Sequence, residues 1–331
     1  IRTEPRIGVS ALGDVAGLDL TDCSTRGIVF SLGPRINAAG RLGDAARAVE
    51  LLLASDRGMA RSLAAVLEET NSRRRDLDRE TAEDAVQMAL ETYGESPDAG
   101  IVLHNSEWHP GVIGIVASRL VERFARPTVM LTTVNGLAKG SARSIPGVNV
   151  FEALRRCAED LEEFGGHDFA AGLSIRPGQI PAFAEHFNEA VLSLAEPGTF
   201  QRTIHYDASL ELGSIDSRFW AVLRQFAPHG PTNEQPVFHG QSLRVLGRPR
   251  TVGRDNSHLK FVVRKADSTP MPVIGFGLGD RLQDLEACRR GGRDIDLLFS
   301  VDEQTWNGRR SLQLRARDLR VSGNGTETVL N

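Results

Sequence analysis

The sequence predicts three parts: one long helix, an α/β layer and a small C-terminal β barrel. The helix is read from Arg57 to Tyr93, a stretch without Pro and, after Gly58, without Gly. The layer is read from apolar strands alternating with amphipathic helices after Pro97. The barrel is read from short β-rich runs after Thr203, separated by Gly, Asn and Asp turns.

In chain order, residues 1–56 read as short helices around a Gly-rich turn, Gly33 to Arg41. In the long helix, Leu63, Val66 and Leu67, then Leu77, Ala85, Val86 and Ala89, recur at helical spacing, while Asn71 to Asp76 is strongly polar. At 1.5 Å per residue it would span roughly 50 Å, too long for one small core, so it is expected to be a strut joining two domains. Next come a strand at Gly100–His104, a helix at Val112–Phe124 and a strand at Pro127–Thr132. They are followed by a Gly/Ser-rich connection to Ile145, a helix near Asn149–Phe164, a Gly165-Gly166-His167 turn, a strand at Leu173–Ile175 and a helix at Ile180–Leu194. Barrel strands are expected at Ile204–Leu212, Val237–Leu246, Leu259–Val263, Val273–Phe276, Ile295–Val301 and Ser311–Leu319, with helical pieces at Ile215–Phe226 and Leu282–Arg289. The expected boundaries are 1–56, 57–96, 97–200 and 201–322, with a tail at 323–331.

Composition bounds the function. The 331 residues include 40 % hydrophobic ones, enough for conventional cores. Cys23, Cys157 and Cys288 stand far apart with no metal-ligand spacing, which argues against a disulfide scaffold or structural zinc and fits a reducing cytoplasm. No apolar run approaches the ~20 residues of a membrane span, and no secretory leader is visible, so no membrane partner is expected. The net charge of −4 divides into −8 for residues 1–200 and +4 for 201–331. Only Lys139, Lys260 and Lys265 are lysines, against 36 Arg. That ratio suits an arginine-biased genome, and it equally suits bidentate phosphate binding. A five-stranded Greek-key barrel with positive charge is a common single-strand nucleic-acid binder.

Four segments place Gly, hydroxyl, Arg or His residues where a core would want apolar ones. Pro34 to Arg41 offers Arg35, Asn37 and Arg41 as donors beside small residues, or else is a packed turn with solvated arginines. Trp108 to Arg119 puts His109 at the mouth of a helix whose N-terminal N–H groups suit an anion. Lys139 to Ile145 combines Ser141, Arg143 and Ser144 in a plausible phosphate pocket, or a solvated loop, and lacks the spacing of a P-loop. Gly165 and Gly166 allow a sharp turn that would aim His167 into a cleft.

In order and wording these segments resemble the RecJ family, single-strand-specific 5′→3′ exonucleases of the DHH phosphoesterase superfamily. The resemblance runs through GPRINAAGR (33–41), LEETNSRRRDLDRE (67–80), WHPGVIGIVASRL (108–120), GSARS (140–144), GGHDFAAG (165–172), HLKFVV (258–263) and WNGRRSLQLRARDLR (306–320). It implies a DHH-associated domain at 97–196, a connecting helix and an OB-type DNA-binding domain at about 203–322. The family's catalytic DHH domain would hold two divalent cations, Mn or Mg. No Asp-His-His occurs in this sequence, and Asp294-Ile295-Asp296 reads as outward-facing, solvated carboxylates. With the Ile start, the expectation is a C-terminal portion that binds no cation and cleaves nothing alone.

The resemblance further implies that Ser141, Arg143 and Ser144 cradle a terminal or scissile phosphate and that Arg41 with Asn37 borders the DNA path. His167 would lean over the catalytic centre. The implied partners are single-stranded DNA and single-strand-binding or helicase proteins, in DNA repair and recombination. Two places depart from the family: Ala227 to Phe238 loses two Gly/Phe positions, and Asp168-Phe169 follows the Gly-Gly-His. Asp168 either acts on the imidazole or points to water. Two alternatives stay open, a binding module without chemistry and a DHH-type phosphatase for nucleotides or short oligonucleotides.

Overall fold

The computed structural model describes residues 1–253, 255–266, 268–306 and 309–322. The expected tail at 323–331 and the Asn307-Gly308 pair of the last motif lie outside them. The chain divides into two compact units, Ile1–Arg202 and Thr203–Asn331.

The first unit opens with α1 (Ile7–Ala16) and a short α2 (Thr25–Gly27), which runs through wider π-type winding at Ile28–Leu32 into α3 (Gly33–Leu42). Then come α4 (Ala46–Leu53) and α5 (Arg57–Tyr93). The expected turn at Gly33–Arg41 is therefore a helix. Pro34 falls in its first turn, where its missing N–H costs nothing, and Ala38 and Ala39 are buried, their small size admitting a neighbouring helix. The long helix takes the predicted bounds, capped by Asp56 accepting from the Met59 N–H. Its two halves serve different cores. Ala60, Ala64 and Leu67 pack with Leu12, Leu32 and Leu51. Ala85 and Ala89 pack with Ile101, Trp108, Ile113 and Met130.

A five-stranded sheet follows in the order β1-β2-β3-β5-β4. Its elements are β1 (Ile101–His104), α6 (Pro110–Phe124), β2 (Thr128–Val134), β3 (Leu137–Arg143), α7 (Val150–Arg156), β4 (Glu163–His167), β5 (Ala170–Ile175) and α8 (Ile180–Leu194). Only β1 and β2 are parallel; the other pairs are antiparallel.

Three local expectations are corrected. Lys139 to Arg143 is a strand, because Asn135 (φ 52°) and Gly136 (φ 81°) make a two-residue hairpin turn that folds β3 back on β2. Gly165-Gly166-His167 is also strand, pairing with β5 across the two-residue turn Asp168-Phe169. The helix expected over 149–164 stops at Arg156, because the following segment enters this hairpin and its two glycines disfavour helix.

One sheet face, with Val129, Leu131, Ala138, Ala142, Leu173 and Ile175, is buried with Val150, Leu154, Phe183 and Phe187 of α7 and α8. The opposite face is buried over β1 and β2 with Ile113, Val116 and Leu120 of α6 and with α5. Beyond them the same face carries exposed Gly172, Gly165 and His167.

The second unit contains β6 (Ala208–Ser209), α9 (Ser217–Leu223), β7 (Phe238–Val252), β8 (His258–Arg264), β9 (Met271–Gly275), α10 (Leu282–Arg290), β10 (Ile295–Trp306) and β11 (Arg309–Val321). The strand expected at 204–212 shrinks to β6. Leu212 already begins a short helical turn, so only two residues pair with β7. The sheet order is β10-β11-β9-β8-β7-β6, and β10 also pairs with β7. Leu243, Leu259, Val263, Ile295, Leu297, Phe299 and Leu314 are fully buried between the strands.

The reading of Asp294 and Asp296 as solvated is corrected. Asp296 is buried and accepts from the Ser242 N–H (3.0 Å), the Ser322 hydroxyl (2.7 Å) and Arg320 (3.3 Å). Burial alone would raise its pKa, but these donors together hold it below the ordinary value. Asp294 pairs with Arg244.

Candidate nucleic-acid interface

Alternation along β3 sends Ala138 and Ala142 into the core and Lys139, Ser141 and Arg143 to the opposite face. There they meet α6. A Cβ on Gly114 would lie 2.8 Å from Ser141 Oγ and 2.9 Å from an Arg143 guanidinium nitrogen. A Cβ on Gly111 would lie 2.1 Å from the Arg41 carbonyl oxygen. Gly111 is thus required by its close approach to the α3 backbone, whereas at Gly114 a methyl would press only on the ends of two side chains of β3. Between these elements lies a cavity of about 340 Å³ lined by Gly40, Arg41, Pro110, Gly114, Ser141 and Arg143, among others, with Lys139 also on its wall.

Its polar groups are held in place. Arg143 donates to Ser141 Oγ (2.9 Å) and to the Ala142 carbonyl (2.8 Å). Arg41 donates to the Gly111 carbonyl (3.2 Å). His109 caps α6, its Nδ1 accepting from the Gly111 N–H at 3.0 Å, which leaves its proton on Nε2. Burial first, and then the nearby charge of Arg73, pushes the His109 pKa below its ordinary value. Burial, and then the charge of Arg41, pushes Arg143 down as well.

The positive charge extends onto α5. Arg74 is pushed down by burial first, against the pull of Asp78, and then by Arg41, Arg75 and Arg119. Asp78 is buried and pairs with Arg119 at 2.6 Å, and Arg74 donates to the buried Asn71 at 3.2 Å. Among the described residues neither Arg74 Nε nor Asp78 Oδ1 has a hydrogen-bond partner, although both are buried. Burial first, and then the nearness of other guanidinium groups, thus disfavours the charged forms of Arg74 and Arg143, an arrangement that charge-assisted hydrogen bonds from an anion would relieve.

The structure brings together Arg41, Ser141 and Arg143, with His109 beside them, and separates others. Arg35 is buried against Glu68 and donates to the Ser31 carbonyl, so it holds α3 to α5. Asn37 is exposed one turn before Arg41 on the same helix. Ser144 lies past the strand end and closes the following loop, donating to the Val148 carbonyl (2.6 Å). His167 is exposed, and its register partner Ala170 also pairs with Arg143, so one cross-strand row carries both side chains. At ~4.8 Å per strand their backbones are about 10 Å apart. In the same hairpin Gly165 is open to solvent, whereas Gly166 (φ 152°) has no room for a Cβ, which would lie 2.4 Å from the Ala170 carbonyl oxygen. Asp168 accepts from the Asn149 side chain (2.7 Å), which ties it to the start of α7.

The candidate residues read from sequence omit Asn71, Arg74, Asp78 and Arg119. Their signal was the i, i+3, i+7 spacing of Asn71, Arg74 and Asp78, which marks one face of α5. The three cysteines are buried and unpaired, and the Cys157 thiol is pushed up to about 12 by burial, then by Asp160 and Glu189. Among the described residues, no three His, Cys, Asp or Glu side chains gather to hold a metal ion. The divalent cations of the resembled family therefore do not fit these residues, which offer them no set of ligands.

With this geometry in hand, comparison with known proteins is specific. A family model described as the DHHA1 domain matches residues 98–193, and one described as the RecJ OB domain matches 206–318. The pairing of these two domains in one chain defines its class. The chain belongs to the RecJ family. It is 32 % identical over 324 residues to the single-stranded-DNA-specific exonuclease RecJ of Bacillus subtilis, covering 97 % of this chain and 40 % of that one. It is 34 % identical to the RecJ of Escherichia coli K12, covering 93 % and 54 %. The crystal structure of RecJ in complex with Mn2+ from Thermus thermophilus aligns at a TM-score of 0.79 and 27 % identity, over 98 % of this chain and 44 % of that one. The chain thus spans about half the length of the curated relatives it matches. Among the described residues no helix is long and apolar enough to cross a membrane.

Proposed function

We propose that this chain is the substrate-binding portion of a cytoplasmic RecJ-like 5′→3′ single-stranded-DNA exonuclease acting in repair and recombination. In this reading the phosphodiester hydrolysis, and the Mn or Mg ions it uses, depend on residues beyond those described here. The boundaries proposed are a helical segment to residue 56, the connecting helix to 96, the DHH-associated domain to 200 and the OB-type domain to 322. The ring of pairings from β7 through β8, β9 and β11 to β10 and back supports reading the last of these as a closed OB-type barrel.

The observation that carries the proposal is the cavity under α6, where Arg41, Ser141 and Arg143 converge with no carboxylate on its lining. A serine hydroxyl and a forked guanidinium next to a helix N-terminus match a phosphate in charge and in donor geometry. Arg41 with Asn37 borders the strand's path, and exposed His167 on the Arg143 row faces the reacting end. Ser144 and Arg35 support this site by shaping the backbone. Single-strand-binding proteins and helicases are the expected partners of the parent enzyme.

The test is binding of short single strands, with and without a 5′-phosphate, by the 331-residue chain and its Arg143→Ala variant. Tighter binding of the phosphorylated strand, lost in the variant, is expected. Equal binding of both strands by the unaltered chain would refute the phosphate assignment.

A further inference from the structure

Two phenylalanines of the second unit are largely uncovered among the described residues, Phe226 and Phe276, and the second has positive charge against it. Phe276 directly follows β9 and is 51 % exposed, although Val273 in the strand is buried. The Arg315 guanidinium lies over the ring at 5.0 Å from its centroid. His258 stands against it edge to face, with centroids 5.0 Å apart. The imidazole is itself fixed, its Nδ1 accepting from the Gly277 N–H at 3.3 Å. A single exposed Phe is ordinary, so the inference rests on what surrounds this one.

Register supplies that context. Arg250 pairs with Lys260, Lys260 with Ile274 and Ile274 with Arg315, one row across β7, β8, β9 and β11. Paired residues share a face, and their neighbours Leu259, Phe261, Leu314 and Ala316 are all buried. The row therefore lies on the face turned away from that core, with Arg250 exposed, Lys260 and Arg315 half-buried and Ile274 covered, and it holds three cations and no carboxylate. Phe276, two residues beyond Ile274 along the chain, lies beside that row, next to Arg315. A guanidinium over one face and half the ring still exposed leave the remaining surface for a planar partner.

We propose that Phe276 is a stacking platform for one base of single-stranded DNA, with Arg250, Lys260 and Arg315 holding the adjoining phosphates and His258 bracing the ring. The proposal rests on the single-strand-binding reading above and adds the residue that meets a base. Stacking uses the π-face that every base has, so recognition here would tolerate any sequence.

The test uses the full 331-residue chain and two fluorescent 5′-hydroxyl strands of equal length and charge, one of thymidines and one abasic, with binding read by anisotropy. The unaltered chain should prefer the base-bearing strand about tenfold. Phe276→Ala should remove that preference, and Phe276→Trp should restore it. The salt dependence should stay the same in Phe276→Ala, whereas each of Arg250→Gln, Lys260→Gln and Arg315→Gln should lower the salt slope by about 0.7. Preference retained in Phe276→Ala overturns the platform. Binding of both strands equally by the unaltered chain overturns it too, while leaving single-strand binding intact. Binding of neither strand overturns the broader reading as well.

Discussion

Gly114→Ala separates the anion site from the fold that carries it. The new methyl would sit 2.8 Å from Ser141 Oγ and 2.9 Å from the Arg143 guanidinium, against an ordinary contact of 3.4 Å or more. Both groups end flexible side chains, so they can retreat by about 0.5 Å without moving backbone. The retreat weakens the 2.9 Å Arg143 to Ser141 bond, which is worth ~1.5–3 kcal/mol as a bond to a charged group. In return, Ala in place of Gly inside a helix stabilises by ~0.5–1 kcal/mol. Arg143 also keeps its bond to the Ala142 carbonyl. The net loss of stability is ~1–2 kcal/mol, or a Tm lowered by about 2–8 °C for a unit of this size. Binding suffers more, because the methyl narrows the place where a phosphate oxygen would lie and turns the guanidinium fork from it. Loss of one charge-assisted contact predicts binding of a 5′-phosphorylated strand weakened by about tenfold to a hundredfold. Anisotropy titration and thermal unfolding of the same protein provide the two numbers. Unchanged affinity for the phosphorylated strand, with the methyl in place, would refute the assignment of Ser141 and Arg143 to phosphate.

The remaining predictions concern buried charge. Asp78→Ala removes the partner of Arg119 and the acid that acts on Arg74; because Arg119 is half exposed and can rehydrate, a loss of ~1–3 kcal/mol is expected, and an unaltered Tm would count against it. His109 has a folded-state pKa below 6.5, so the unfolded chain takes up its proton first as pH falls. Its contribution is complete above about 6.5 and is lost below, so the Tm of the unaltered protein should fall more between pH 7 and 5 than that of His109→Asn, which keeps a capping acceptor. Asp296 has a pKa held below 3.8, so its contribution is complete above that value and is lost as pH falls through the lower folded-state value. Acid unfolding of Asp296→Asn should accordingly be less steep over that range, measured by circular dichroism.

How much of this was legible in the sequence depended on which forces act locally. The long helix was legible to the residue, because an uninterrupted helical repeat and an Asp cap are local signals. So was α8, with Pro177 before it, Pro181 in its first turn and Pro197 after. The hairpins of the α/β layer were not, although Asn135-Gly136 is a strong local turn signal. The glycines at 140, 165 and 166 read as loop, whereas cross-strand packing uses them as strand. Gly140 leaves the space that Leu131 and Leu173 fill. In the candidate site, motif wording placed Ser141 and Arg143 correctly side by side. It could not show that strand alternation brings those two to the cavity and turns Ser144 into the loop. The middle of α5, Asn71 to Asp76, read only as strongly polar, but Asn71 in it and Asp78 just beyond it are buried, a tertiary fact that no window of hydropathy contains.

Charge by segment misleads for the same reason. Residues 1–200 carry a net of −8, and the net-positive last third seemed the natural place for DNA. Yet the deepest concentration of cations described above is in the acidic unit. There Arg41 acts on both Arg74 and Arg143, Arg119 acts on Arg74, and Asp78 sits among them as their counter-charge. Much of the negative charge sits in pairs elsewhere, such as Glu152 with Arg155 and Glu162 with Arg176. Coulomb energy falls with distance and is screened beyond ~10 Å, so a phosphate in the cavity responds to the nearby guanidinium groups and hardly at all to the unit's net charge. The second unit presents the complementary case, in which the cations are spread across four strands, Arg250 exposed and Lys260 and Arg315 half-buried, and the field is weaker at each point. In the proposed reading the pocket selects one phosphate by geometry and the row accepts any stretch of strand, so finding a strand and then holding its end would draw on both.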